Sequence, residues 1–155
     1  MPVPLVTQHY PDDFQVLTYA FTGAAVNDPT AILYADRTLV IDSITVGIHA
    51  IAGSGGSLTF RYGLTTLQDG TGTAIAVLLP TSANGTYAAG ETAVMDGVGY
   101  VKHYSTAGVV SNDTGSTQLS TTLNVIPQGY WLAIDPASAS AFRGTIQIRY
   151  RSRQA

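Results

Sequence analysis

Charge is what this chain has least of. In 155 residues, Lys and Arg together number 7 and Asp and Glu 10, so 11% of positions are charged, against about 25% in an ordinary soluble domain. A freely diffusing protein stays apart from its neighbours by charging its surface, so the deficit predicts a surface meant to be covered by other molecules. Cysteine is absent altogether, which excludes disulfides, thiolate zinc and iron–sulfur sites, and cysteine nucleophiles. No stretch approaches the roughly 18 consecutive apolar residues of a membrane-spanning helix. The opening Met1-Pro2-Val3-Pro4-Leu5 lacks the positive and apolar regions of a secretory signal, which predicts synthesis in a host cytoplasm with no membrane partner.

The signatures of catalysis are also missing. His9, His49 and His103 do not stand at metal-ligand spacing. No G-x-S-x-G elbow is present, and Gly53-Ser54-Gly55 reads as a linker-like loop. Glycoside hydrolysis needs two converging carboxylates, and Glu91 is the only glutamate. Phosphate-binding glycine motifs and calcium-loop spacings are likewise absent. The aspartates at 12, 13, 28, 69, 96, 113 and 135 mostly adjoin Gly, Pro or Asn, where a carboxylate caps turn amides. Asp42 is the exception, mid-strand in an apolar run, and is expected at an interface or paired with an arginine. These readings predict no enzyme, no cofactor and no metal.

What the chain does have is a period of two. Leu17, Tyr19 and Phe21 share one face with Thr18 and Thr22 opposite, and Leu58, Phe60 and Tyr62 repeat the pattern against Thr59 and Arg61. The run 38–49 is apolar on both faces near its start, as a central strand requires. Further strands are expected at 31–35, 74–79, 98–104, 118–125, 130–135 and 143–151. Turn-formers separate them, among them Asn27-Asp28-Pro29, Asn84-Gly85 and Pro127-Gln128-Gly129. The stretch 80–97 reads as a long excursion outside the core, and 136–142 as the best candidate for a short helix. Prolines at 2, 4 and 11 make residues 1–14 an extended arm, leaving 15–155 as one all-β antiparallel β-sandwich domain.

Two compositional features point to contact surfaces. Nine tyrosines suit positions apolar on one side and wet on the other; Tyr10, Tyr87, Tyr100 and Tyr104 lie outside the strongest strands and are the candidates. All the acidic residues precede residue 136, whereas 136–155 carries Arg143, Arg149, Arg151 and Arg153. So few arginines do not predict nucleic-acid binding, but they can complement an acidic face on a neighbouring subunit.

Leu123-Asn-Val-Ile-Pro-Gln-Gly-Tyr-Trp-Leu-Ala-Ile-Asp135 and Arg143-Gly-Thr-Ile-Gln-Ile-Arg-Tyr-Arg151 resemble the closing strands of compact jelly-roll proteins, and Ile44–Ile48 and Gly56–Gly63 the opening ones. In its cysteine-free, Ser/Thr/Gly-rich style with a proline-bearing arm, the chain resembles the head decoration, or cement, proteins of tailed bacteriophages. The resemblance implies a jelly-roll with an extended N-terminal arm that trimerises and binds where subunits of the major capsid protein meet, on the virion exterior. Under that expectation the contact residues are Pro2, Val3, Pro4, Leu5, His9 and Tyr10 of the arm, together with Asp42, Tyr87, Tyr100, Tyr104, Arg149, Arg151 and Arg153. A second expectation, from a different class, is a receptor- or glycan-binding module of a phage fibre or tail tip using Tyr87, Tyr100 or Tyr104.

Overall fold

A computed structural model describes residues 14–22, 29–51, 56–64, 72–82, 85–137 and 143–153. Its strands are β1 (Gln15–Thr22), β2 (Thr30–Tyr34), β3 (Leu39–Ala50), β4 (Ser57–Gly63), β5 (Thr73–Leu78), β6 (Thr81–Ser82), β7 (Gly85–Thr86), β8 (Thr92–Met95), β9 (Val101–Tyr104), β10 (Val110–Asp113), β11 (Val125–Ile126), β12 (Trp131–Ala137) and β13 (Arg143–Ser152). Among the described residues there is no helix. The arm, apart from Phe14, lies outside the described residues.

The first sheet has the order β1-β13-β3-β8-β9-β10, with β11 also on β3, and the second has the order β2-β12-β4-β5. Taken outermost to innermost in sequence, β1 pairs with β13, β2 with β12, β3 with β8 and β4 with β5, all antiparallel. That is one long folded ribbon. Pairing of β13 with β3 and of β12 with β4 rolls the ribbon up, which is the wiring of a jelly-roll sandwich. The sequence therefore makes an all-β sandwich, as its alternation implied, with the jelly-roll wiring that the resemblance implied. The small β6–β7 hairpin is inserted between β5 and β8, and β9, β10 and β11 between β8 and β12.

The core forms where the two inner faces meet. The first sheet contributes Phe21, Ile41, Ile44, Val46, Ile48, Met95, Val101, Ile146 and Ile148, and the second Leu58, Phe60, Ile75, Leu78, Leu132 and Ile134. Each such side chain stabilises the fold by about 1.5–3 kcal/mol when fully buried. In β3 the buried positions change phase, from Leu39 and Ile41 to Ile44, Val46 and Ile48. The cause is a bulge: Arg149 stands opposite Ser43 and Tyr150 opposite Ile41, so Asp42 is an extra residue in the ladder.

Three expected elements differ. The 80–97 excursion contains β8, whose Ala93 and Met95 are buried beside β3; four residues flanked by glycines gave too little alternation to read. Residues 118–125 are mostly turn, because Ser120 Oγ accepts from the Leu123 amide and bends the chain before β11. Pro136 and Ala137 extend β12 instead of starting a helix, while 138–142 lie outside the described residues. The segment after β10 crosses to the second sheet, where Thr117 and Val77 exchange backbone hydrogen bonds and Ser120 N donates to Ile75 O. It covers the open side of β5.

Candidate functional site

The titratable groups that the fold brings together lie on the insertion side. Asp113, at the end of β10, is completely buried, and its Oδ1 accepts from the amides of Gly115 (2.9 Å) and Ser116 (3.1 Å). Its Oδ2 accepts from Ser116 Oγ (2.5 Å) and from the Tyr87 hydroxyl (3.0 Å). Burial first, and the Asp113 carboxylate second, push the Tyr87 hydroxyl well above its ordinary range, so it stays a donor. The Tyr87 ring lies against the His103 ring with centroids 4.1 Å apart.

His103 Nε2 is 2.6 Å from Glu91 Oε2, which also accepts from the Ala88 amide at 2.8 Å. An ionised carboxylate only accepts, so Nε2 carries the proton. The Ala88 amide lowers the Glu91 pKa; burial opposes this, and the His103 hydrogen bond adds to the lowering. Each group is engaged by a partner from another turn or strand, so the network pins the 88–91 turn and the 113–116 turn to β9. Ser116 Oγ accepts from the Leu79 amide while donating to Asp113, and it has no contact with a histidine in this network. The arrangement holds structure together; it does not present a nucleophile. Among the described residues, no group of three or more His, Cys, Asp and Glu converges to hold a metal ion.

Tyr87 departs from its sequence-based placement. It was expected on the surface because it lies outside the strong alternation, yet it is 2% exposed. Its backbone amide bonds to Pro80 O, and Asp113, 26 positions away, takes up its hydroxyl. It is a core residue with a satisfied polar end.

Tyr100 and Tyr104 are exposed as expected. Local geometry presents the first: Gly97 and Gly99 take positive φ, Asp96 Oδ1 caps the Val98 amide, and Gln118 Nε2 donates to the carbonyls of Val98 and Tyr100. A second turn, closed by Ser105 Oγ accepting from the Val109 amide, presents Val109 next to Val110, which stands opposite Tyr104. Val98 and Val109 are 68% and 63% exposed. Of the ten exposed large hydrophobic residues among the described residues, Val98, Tyr100, Tyr104, Val109 and Val110 fall within residues 98–110. The three valines were missed in the sequence; their signal was an apolar residue beside a glycine turn with no alternating partner.

The remaining expected contacts lie elsewhere. Pro2, Val3, Pro4, Leu5, His9 and Tyr10 are outside the described residues. Arg149 and Arg151 alternate along β13, with Arg153 just beyond it. Asp42, at the β3 bulge, lies 3.7 Å from Arg149, both side chains well solvated, a pairing worth about 0–1 kcal/mol. Arg149 also sits over the Phe14 ring, 3.7 Å from its centroid, and Arg151 lies 5.8 Å from the same ring. These contacts hold Phe14 beside β13. On the second sheet, Arg61 pairs with the buried Asp135 at 2.9 Å.

No family model matches this chain, and no curated protein matches it. Among solved structures it is similar to a chain from "Bacillus endospore appendages form a novel family of disulfide-linked pili", at 13% identity over 92% of this chain and 88% of that one, with a TM-score of 0.44. It is also similar to two infectious bursal disease virus structures. One is of the Gx strain, at 14% identity over 90% of this chain and 33% of that one, TM-score 0.34. The other is the VP2 subviral particle, at 15% identity over 98% and 37%, TM-score 0.29. The chain thus spans about a third of the two viral chains. Likeness at these scores carries nothing about function.

Proposed function

We propose that this chain is a non-enzymatic structural subunit of a virion, one that decorates or cements a bacteriophage capsid as a homotrimer seated where major capsid protein subunits meet. The observation that carries the reading is the concentration of exposed apolar side chains at Val98, Tyr100, Tyr104, Val109 and Val110. Exposed apolar residues gathered at the two ends of one strand favour a protein-contact site, and the chain-wide shortage of charge favours burial of such residues. Many weak contacts repeated by symmetry would add through avidity, and binding only the assembled shell would stabilise it by mass action. The arm residues Pro2, Val3, Pro4, Leu5, His9 and Tyr10 and the arginines at 149, 151 and 153 supply the other contacts.

Cosedimentation with assembled capsid shells tests it. The Tyr100→Ser/Tyr104→Ser variant is expected to bind at least about tenfold more weakly, the equivalent of ~1.4 kcal/mol. Unchanged binding by that variant and by a chain lacking residues 1–13 would reject the reading. The exposed Tyr100 and Tyr104 rings favour one alternative, a glycan- or receptor-binding module of a fibre or tail tip. It predicts glycan-array binding that the same double substitution removes.

A further inference from the structure

The exposed apolar residues of the first sheet gather at its two ends. At one end is β1, with Phe14 and Val16, the latter 60% exposed; at the other is β10, with Val110 and its cross-strand neighbour Tyr104. Natural sheets protect their edges with charge, proline, bulges or a covering segment. The second sheet does so: β5 is covered at Thr117, and β2 is short and interrupted by a register shift. In contrast, β1 is Gln-Val-Leu-Thr-Tyr-Ala-Phe-Thr, without a charge, proline or glycine, and it pairs with β13 over eight residues with no shift. Among the described residues, neither β1 nor β10 has a strand on its outer side.

We infer that these two edges are complementary halves of one interface, and that the first sheet runs on from copy to copy with β10 of one chain pairing with β1 of the next. The occupant of each edge is a second copy of this chain. Strand direction supports this. Five successive antiparallel pairings make the two edge strands opposite in sense, so a second copy in the same orientation presents its β1 antiparallel to β10, as the rest of the sheet is built. The faces agree as well. Ala20, Thr145, Gly47, Thr92, Tyr104 and Val110 form one register row across the sheet, so Val110 and Tyr104 share the outward face of Ala20, Thr18 and Val16. Joining the edges puts apolar rim against apolar rim, with no charged residue in either strand except Asp113, whose carboxylate is already buried. A contact between different edges is heterologous, and it makes a ring when the rotation from copy to copy closes; the twist of the sheet supplies such a rotation. The inference rests on the proposed assembly role and names its partner surface.

The test uses the full chain and two substitutions at exposed positions, Val16→Lys on β1 and Val110→Lys on β10, with circular dichroism confirming that both fold. Sedimentation velocity should show the parent chain as a closed oligomer and each variant alone as a monomer. An equimolar mixture should form a heterodimer, because each variant keeps the edge the other lacks. A parent chain that is monomeric at every concentration, a single variant that still associates, or a mixture that stays monomeric would overturn the inference. Self-association through either edge alone would appear as dimers of one variant. Failure of the capsid reading is separate: a ring that does not cosediment with shells removes that reading and leaves this one standing.

Discussion

Asp113 has no contact with solvent, and its carboxylate accepts four hydrogen bonds. Asp113→Ala would strand the Tyr87 hydroxyl, Ser116 Oγ and two amides, and the expected loss is about 3 kcal/mol of unfolding free energy, read from urea denaturation. Asp113→Asn, which keeps one acceptor, should lose less. Glu91 supplies a pH dependence. Its folded pKa lies below the ordinary glutamate value, so its contribution is fully present above about pH 4.3 and disappears as the pH falls through the lower folded value. Glu91→Gln should therefore flatten the acid limb of a stability–pH profile; an unchanged slope would contradict the assigned contacts. At this scale the turn-capping half of Asp113 was legible, because Asn112-Asp113-Thr114-Gly115 is a local turn signal and two of its bonds go to nearby amides. The Tyr87 half was not, since that contact spans 26 positions and exists only once the sheet has formed.

Among the elements, β3 shows how far alternation can be read. Its apolar residues on both faces marked it as central, and the structure flanks it with β13 on one side and β8 and β11 on the other. The phase change around Asp42 is visible in the sequence as Ile41-Asp42-Ser43-Ile44, yet only pairing with β13 identifies it as a bulge. β8 was illegible for the opposite reason: four residues carry too few periods, and its place is set by β3 and β9. Gly144 gives the sharpest prediction at this scale. A Cβ there would run into the carbonyl oxygen of Gly47, with the Phe21 ring close behind, whereas a Cβ at Gly47 would lie an ordinary 3.8 Å from Thr145 O. Gly144→Ala should lower stability by about 1–3 kcal/mol, as overpacking does, and Gly47→Ala by clearly less, both measured from the denaturation midpoint. Equal effects would contradict the close approach of β13 to β3.

For the whole molecule, the strand order makes a jelly roll, and the inserted β9 and β10 widen one of its sheets on the side where exposed apolar residues collect. The fold class was legible because a sandwich core imposes a period of two on nearly every strand. The proposed contact surface was legible only in outline. A shortage of charge raises the expectation of a covered surface, but placing that surface requires knowing which strands end a sheet. Tyr100 and Tyr104 were found because aromatic residues stand out, and Tyr87 was misplaced because exposure depends on what folds over a loop. The account predicts that both ends of the first sheet lose contact with water together when copies assemble. Hydrogen–deuterium exchange of the assembled chain against Val110→Lys tests this most directly. The backbone amides of β1 and β10 should both exchange more slowly in the assembled chain, while β2 is unchanged. Exchange at β1 and β10 equal in the two samples would contradict it.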